Sequence, residues 1–542
     1  MIELRDRHVA VIGLGESGLA MARWAAFNGA RVSVLDSRES PPQKDALLEQ
    51  CPQAKLLGGE FSIAAVQDAD LLAWSPGLSP LAGVAASLHQ AALAAGLPVF
   101  GELDFFAAEL ARRAQDGYRP KVVAITGTNG KTTVTQLAGH LASEAGMDVQ
   151  MAGNISPALL DALRERIVAD RLPEIWVLEL SSFQLALAGT GTAPPLKCTA
   201  SVVLNVSQDH LDWHGSMAHY RESKLRIHRD TACCIINVDD RQTDPAWEGE
   251  PATTAADAPA AGAAVGPSAG AAPGSAAAVK RPRAAKAAKP AAGPVAQASF
   301  SLSTPLSAPG FGMLRDGGLN WLVEALPDDE DGTRRRRGAS GSAAASFHLN
   351  RLMPADALRL HGDHNHANAL AALTLMRAAG APLAPMLRSL PDFETGPHRC
   401  HLVAVVNDVQ YYDDSKGTNV GATIAALSGL GRRCVLIAGG LGKGQDFAPL
   451  APAVRRHARA VVLIGRDAGL IREALATTGV PLIDATSMED AVAKAASQAH
   501  AGDAVLMSPA CASFDMFRNY PHRSEVFNAA VRDLAHEAGQ PC

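Results

Sequence analysis

The chain has 542 residues, 47% of them hydrophobic and 19% charged, with a formal net charge of −6 at pH 7. That length exceeds what one core organises and points to roughly three or four domains of about 150 residues each. The charge balance gives no reason to expect nucleic acid or an anionic membrane as partner, and no apolar run of about 18 residues is present to insert in a bilayer.

The start, MIELRDRHVAVIGLG, carries acidic residues and no signal-type apolar stretch before its first strand pattern. The eight cysteines are scattered, with only Cys233 and Cys234 close together. They space like neither a zinc site nor a disulfide framework, so reduced thiols in a cytoplasmic protein are the expectation.

Residues 8–36, HVAVIGLGESGLAMARWAAFNGARVSVLD, read as strand, tight turn, helix and strand. Gly13, Gly15 and Gly18 fit GxGxxG, and Asp36 closes the second strand where a dinucleotide unit places its ribose carboxylate. A nicotinamide cofactor offers the diphosphate and ribose that this needs; so does a nucleotide-sugar. Further short strands fall in DLLAWSPG and PVFGELDFF.

A second segment opens with VVAITGTNGKTTVTQLAGHLA, residues 122–142. A strand running into Gly127, Thr128, Asn129 and Gly130 exposes backbone N–H groups at a helix start, which suits an anion. Lys131 can neutralise outer phosphates, and the Thr132 hydroxyl, followed by Thr133, can join the shell of Mg²⁺. A standard P-loop has glycine five residues before its Gly-Lys pair; Ile125 stands there, so this loop is shorter. The plain alternative is a helix-capping turn.

IWVLELSS then puts Glu179 at the end of an apolar strand, SVVLNVSQDH puts Asp209 and His210 after another, and YRESKLRI places Lys224 on a helix. Each has a structural reading, as a capping carboxylate or an exposed lysine. Beside a phosphate loop, Glu179 and His210 share a task, since Mg²⁺ takes oxygen ligands and bridges phosphates.

Two tracts break the pattern. Residues 245–297, Ala/Pro/Gly-rich from Pro251 and containing KRPRAAKAAKP, and residues 328–346 lack the apolar side chains of a core. Both read as disordered insertions, the basic patches as solvated linker rather than nucleic-acid contacts. Between them FGMLRDGGLNWLV reads as a hairpin turning at Asp316, Gly317 and Gly318. Strands resume in CHLVAVVNDVQYYDDS, RCVLIAGG, AVVLIG and AVLMSPACAS. The class is α/β in three domains: a Rossmann-like unit (1–112), a central P-loop-type ATPase unit with a parallel sheet (113–394) and a C-terminal Rossmann-like unit (395–542).

TGTNGKTT resembles the ATP loop of the Mur ligase family, which includes folylpolyglutamate synthetases. LELSSFQL, NVSQDHLDWHGS, YRESKLRI, HNHANALAAL, GPHR, YYDDSKGTN and SPACASFDMF follow in the family's order and cover the chain apart from the two tracts. The last motifs are most similar to those of members that join UDP-N-acetylmuramoyl-L-alanine to D-glutamate in peptidoglycan precursor synthesis; no DNPR-type motif for diaminopimelate is present.

The resemblance implies ATP with two Mg²⁺ ions, one near Thr132 and Glu179 and the other near His210. It implies that Lys224 is carbamylated by CO₂ into a metal-facing carboxylate. Asn368, Arg399 and Asp414 become ATP contacts, although a structural ion pair at a hinge is the other reading of Arg399. Glu16, Ser17, Asp36, Ser37, Arg38, Ser75, Pro76 and Gly77 would hold the uridine nucleotide, and Asn154, Ser181 and Gln184 would line the substrate channel. Lys416, Thr418, Lys443, Ser513, Phe514 and Tyr520 would bind D-glutamate. Such an enzyme is expected to act as a monomer. Competing readings are another ligase of the family, a nicotinamide oxidoreductase built on GLGESG, and a non-catalytic nucleotide switch.

Overall fold

The computed structural model describes residues 2–189, 193–248, 296–328, 346–360, 362–394, 396 and 398–540. Most of the two Ala/Pro/Gly- and charge-rich tracts lies outside them. At the described edges, Ala296 and Gln297 are already strand, and Asp328 N–H donates to Ser346 O at 3.1 Å.

Three sheets carry the described residues. The first contains β1 (His8–Ile12), β2 (Arg31–Asp36), β3 (Lys55–Gly58), β4 (Leu71–Trp74) and β5 (Val99–Phe100), all parallel in the order β3-β2-β1-β4-β5. The strands β1 and β4 are nearly continuous apolar runs because helices cover both faces of such a sheet.

The second sheet has nine strands: β6 (Lys121–Thr126), β7 (Val149–Gly153), β8 (Ile175–Glu179), β9 (Cys198–Val203), β10 (Thr231–Asn237), β11 (Ala296–Phe300), β12 (Gly310–Asp316), β13 (Leu319–Pro327) and β14 (Phe347–Pro354). Its order is β14-β13-β12-β11-β10-β9-β6-β8-β7, parallel from β7 to β12. The predicted hairpin is β12–β13, with Asp316 opposite Leu319 and Gly317 and Gly318 at φ 61° and 83°. Two left-handed residues in a two-residue loop match the right-handed twist of the strands, which is why the Gly-Gly pair signals this turn. The antiparallel β14 beyond it was not foreseen.

The third sheet, β15 (His401–Val406), β16 (Val409–Asp413), β17 (Cys434–Gly439), β18 (Ala458–Ile464), β19 (Leu482–Asp484) and β20 (Ala504–Met507), runs β15-β16-β20-β17-β18-β19. Only β15 is antiparallel. It turns into β16 through Asn407 and Asp408, both at positive φ, a hairpin signal inside a segment otherwise read as strand.

One core cluster is shared by the first two domains: Trp24, Phe105 and Phe106 pack with Trp176, Leu178 and Leu160. The third domain has cores of its own. Across the boundary of the first two, Trp213 Nε1 donates to Pro76 O at 3.1 Å and Ser79 Oγ to Trp213 O at 2.8 Å. No described helix is long and apolar enough to cross a membrane.

Candidate active site

The chemistry-bearing residues cluster just past the carboxyl ends of parallel strands, where an open α/β sheet presents its ligands. After β6 the chain bends through Gly127, at φ 159°, and Gly130, at φ 85°, into the helix Lys131–Glu144. Both glycines are sterically required. A Cβ on Gly127 would meet Leu204 Cβ at 2.9 Å, and one on Gly130 would meet Asn368 Oδ1 at 2.5 Å. The loop is braced from behind: Thr128 N–H donates to Asn205 O (2.9 Å), Asn129 N–H to Asn205 Oδ1 (2.8 Å), and Asn205 Nδ2 to Asn129 O (3.1 Å). Thr128 Oγ1 also lies 3.1 Å from both Ser207 O and Tyr220 OH. The Lys131 ammonium folds back on the loop, donating to Gly127 O and Thr128 O at 2.9 Å each. Thr132 and Thr133 follow it on the first turn.

Glu179, the last residue of β8, is buried beside this loop. Its Oε1 accepts from Asn154 Nδ2 at 2.9 Å, while Oε2 has no hydrogen-bond partner among the described residues. A buried carboxylate oxygen left without a donor fits a cation. Lys131 is pushed down by burial, against the opposing pull of Glu179 and Asp209.

Lys224, on the helix Met217–Leu225, is 1% exposed; its Nζ donates to Gly127 O at 2.7 Å and stands 4.4 Å over the Tyr220 ring. Burial, with Lys131 adding repulsion, holds this amine well below its usual range. His210 adopts a left-handed conformation at φ 54°, packs its ring edge against Phe183 with centroids 4.7 Å apart, and is brought down to about 4 by burial despite Asp209. It is a neutral imidazole at pH 7 with a lone pair to offer.

The third domain meets these elements. One cleft is lined by Asn129, Gly130 and Asn368 on the central side and by Arg399, Asp414 and Lys416 on the other. Asp414 follows β16, accepts from Ser508 Oγ at 2.6 Å and is raised to about 7 by burial. Arg399 is lowered by burial, with Glu179 and Asp414 acting against this. Lys416 donates to Tyr520 OH at 3.0 Å and lies 4.2 Å over its ring. Lys443 reaches Asp209 Oδ1 at 2.7 Å, so this lysine is held by the central domain. The Thr418 N–H donates to Lys416 O at 2.9 Å, and Ser513 is buried. Phe514 is 71% exposed and is not gathered with them.

Family descriptions match in three blocks: "Mur ligase MurD-like, N-terminal domain" over residues 7–101, "Mur ligase middle domain" over 125–256 and "Mur ligase, glutamate ligase domain" over 398–511. Proteins of Burkholderia mallei (strain SAVP1) and Burkholderia pseudomallei (strain K96243), both called UDP-N-acetylmuramoylalanine–D-glutamate ligase, are 50% identical to this chain over 538 residues, covering 98% of each chain.

The chain belongs to the Mur ligase family.

Solved structures of other Mur ligases share its fold. UDP-N-acetylmuramate-alanine ligase MurC of Thermotoga maritima matches with TM-score 0.53 at 15% identity, covering 97% of this chain and 99% of that one. MurF of the same organism, in complex with ADP, matches with TM-score 0.51 at 16% identity, covering 98% and 96%.

In the first domain of this Mur ligase, Asp36 is buried and engaged. Its Oδ2 accepts from Leu14 N–H (2.7 Å) and Arg38 Nη2 (2.7 Å), and its Oδ1 from Arg38 N–H (2.9 Å) and Nε (2.8 Å). Burial alone would raise this carboxyl, and the Arg38 and Leu14 donors bring it below its usual value. Asp36 therefore ties the glycine turn to the end of β2, and Arg38, its partner, is half-exposed. Ser75 Oγ donates to Gly13 O at 2.7 Å, and a Cβ on Gly18 would meet that carbonyl at 2.0 Å. Glu16, Ser37 and Gly77 are exposed around this turn, with Ser17 and Pro76 half-buried.

Ser181 and Gln184 form a reciprocal capping box on the helix Ser182–Leu187, so both have local partners. Asn154 orients Glu179. Sequence reasoning passed over Asn205, Tyr220, Asn419 and Glu102. Only Asn205, a polar residue directly after an apolar strand, carried a local signal.

Proposed function

We propose that the chain is the ATP-dependent ligase that forms the amide bond between UDP-N-acetylmuramoyl-L-alanine and D-glutamate in peptidoglycan precursor synthesis, working as a cytoplasmic monomer. The observation that carries this reading is the cleft in which the phosphate loop faces Arg399, Asp414 and Lys416 of the third domain. A γ-phosphoryl donor on one wall and an amino-acid site on the other is what carboxylate activation followed by aminolysis requires.

The terminal phosphoryl group of ATP passes to the alanyl carboxylate, giving an acyl phosphate. The D-glutamate amine attacks its carbonyl carbon, and the tetrahedral adduct expels orthophosphate. With the Thr128 and Asn129 N–H groups taken by Asn205, the loop from Gly127 to Gly130 presents the N–H groups that open the helix Lys131–Glu144 to the phosphates, and Lys131 exchanges its two carbonyl partners for phosphate oxygens. Asn368, Arg399 and Asp414 hold the nucleotide between the domains.

Thr132, Glu179 and His210, with Lys224 as its carbamate, are the residues that would hold two Mg²⁺ ions, which neutralise developing charge when bound. The unpartnered Glu179 oxygen and the neutral His210 suit that task. A depressed Lys224 amine is the nucleophilic form that takes up CO₂. Lys416, Thr418 and Lys443 orient the incoming dicarboxylate, with Ser513, Phe514 and Tyr520 around them, so that attack is effectively intramolecular. Lys443 reaches the amino acid from its pairing with Asp209. Shutting the third domain over the cleft keeps water from the acyl phosphate.

The first domain holds the uridine nucleotide around Ser17, Ser37, Arg38 and Ser75. Asp36 acts there by fixing Arg38 and the glycine turn.

The test is orthophosphate release from ATP with UDP-N-acetylmuramoyl-L-alanine and each candidate amino acid. D-Glutamate alone is expected to support turnover. Release with diaminopimelate or lysine in its place would overturn the substrate assignment, and cofactor oxidation at the nicotinamide absorbance band would overturn the class.

A further inference from the structure

Asn419 has no part in the mechanism above, yet its side chain, 4% exposed, touches three parts of the molecule at once. Its Oδ1 accepts from Ala422 N–H at 2.9 Å, capping the helix Val420–Gly429, and from Asn129 Nδ2 at 3.2 Å. Its Nδ2 donates to Asn129 Oδ1 at 2.9 Å and to Asp209 Oδ2 at 3.4 Å. The two asparagine side chains thus form a reciprocal amide pair between the phosphate loop and the third domain.

Asn129 has its backbone N–H and carbonyl both taken by Asn205, so its side chain is the part of the loop that reaches outward. Asp209, the other acceptor, is the residue holding Lys443. Two residues beyond Asn419, a Cβ on Gly421 would come within 3.1 Å of Asn129 Nδ2 and 3.3 Å of Ser207 Oγ, so a side chain there would crowd this approach.

A helix cap alone does not explain asparagine, because serine or aspartate caps equally well. An amide carries its donor and acceptor on two separate atoms side by side, the pattern that a second amide pairs with reciprocally and that a serine hydroxyl or a carboxylate lacks.

We propose that Asn419 is a positioning residue that couples the phosphate loop to the amino-acid domain. Pairing with Asn129 sets the segment from Lys416 to Thr418 in register with the loop, and donation to Asp209 orients the carboxylate that holds Lys443. The coupling refines the ligase reading and rests on it.

The deciding variant is Asn419→Ser, which keeps the cap and removes the amide. It is expected to melt like the wild type, to lose about tenfold in kcat and to raise KM for D-glutamate, while KM for UDP-N-acetylmuramoyl-L-alanine stays constant. In nucleotide-free protein, small-angle scattering should show a larger radius of gyration than wild type. Adding Asn129→Ala should cost less than the product of the two single losses.

Unchanged kinetics and radius in Asn419→Ser, or losses that multiply in the double variant, overturn the coupling. Should the serine variant fail to fold, Asn419→Asp decides. It caps the helix but turns an acceptor toward Asn129 Oδ1 and Asp209, and wild-type turnover in it overturns the proposal. If the wild type itself makes no product, the ligase reading fails, whereas the scattering comparison needs no substrate and judges the contact by itself.

Discussion

Replacing Glu102 by glutamine should remove a pH-dependent weakness between the first two domains. Glu102 opens the helix Glu102–Arg113 and is 1% exposed. Its Oε1 accepts from Leu160 N–H at 3.2 Å; its Oε2 has no well-aligned partner among the described residues, with Ser17 and Gln184 lying beside the group. Burial raises this carboxyl from 4.5 to about 7.

The unfolded chain loses the proton near 4.5, whereas the folded chain keeps it to about 7. The stability linked to that proton is therefore fully present below 4.5 and is lost as pH rises through about 7. The interval corresponds to about 3 kcal/mol. Glutamine mimics the protonated acid at every pH. Wild type and Glu102→Gln should therefore unfold alike in urea at about pH 4, and the variant should be the more stable by about 3 kcal/mol at about pH 8. Tryptophan fluorescence reports the transition, since Trp24 and Trp176 lie in the core cluster that Leu103 and Phe105 share. A stability difference that is the same at both pH values refutes the reasoning.

Lys131→Ala should lower kcat by at least about 1000-fold while calorimetric binding of the UDP-substrate persists; comparable turnover would remove the loop from the mechanism. Lys224→Ala should be inactive and partly rescued by excess of a small carboxylic acid, and full activity without rescue rejects the carbamate. Gly130→Ala places a methyl group 2.5 Å from Asn368 Oδ1 at a φ of 85°. It should raise KM for ATP about tenfold or more, and an unchanged KM would show that the loop has room to relax.

Much of the candidate site could be located from the chain because its residues form local patterns. A glycine-rich turn between an apolar strand and a helix announces an anion cradle, and Glu179 and His210 follow strands whose apolar runs are plain. The hairpin at Gly317 and Gly318 and the helix-lined parallel sheets follow from the same patterning.

The rest depends on residues distant in sequence. Asn419 meets Asn129 across 290 positions and Lys443 meets Asp209 across 234, and no spacing rule reports such pairs. Glu102 looks like an ordinary first-turn acid until the fold closes over it. Asp36 sits where a ribose ligand is expected, and the structure shows it already bound to Arg38 and Leu14, a choice that periodicity does not record.

The shared packing of Trp24, Phe105 and Phe106 with Trp176 and Leu178 has a mechanical consequence. Two of the three modules share one core and act as a fixed anvil, so on the proposed reading the distance from sugar-nucleotide to phosphate donor is built in at folding. The remaining module, whose cores are its own, is the hammer: it meets the anvil across a cleft and polar contacts and not through a common interior.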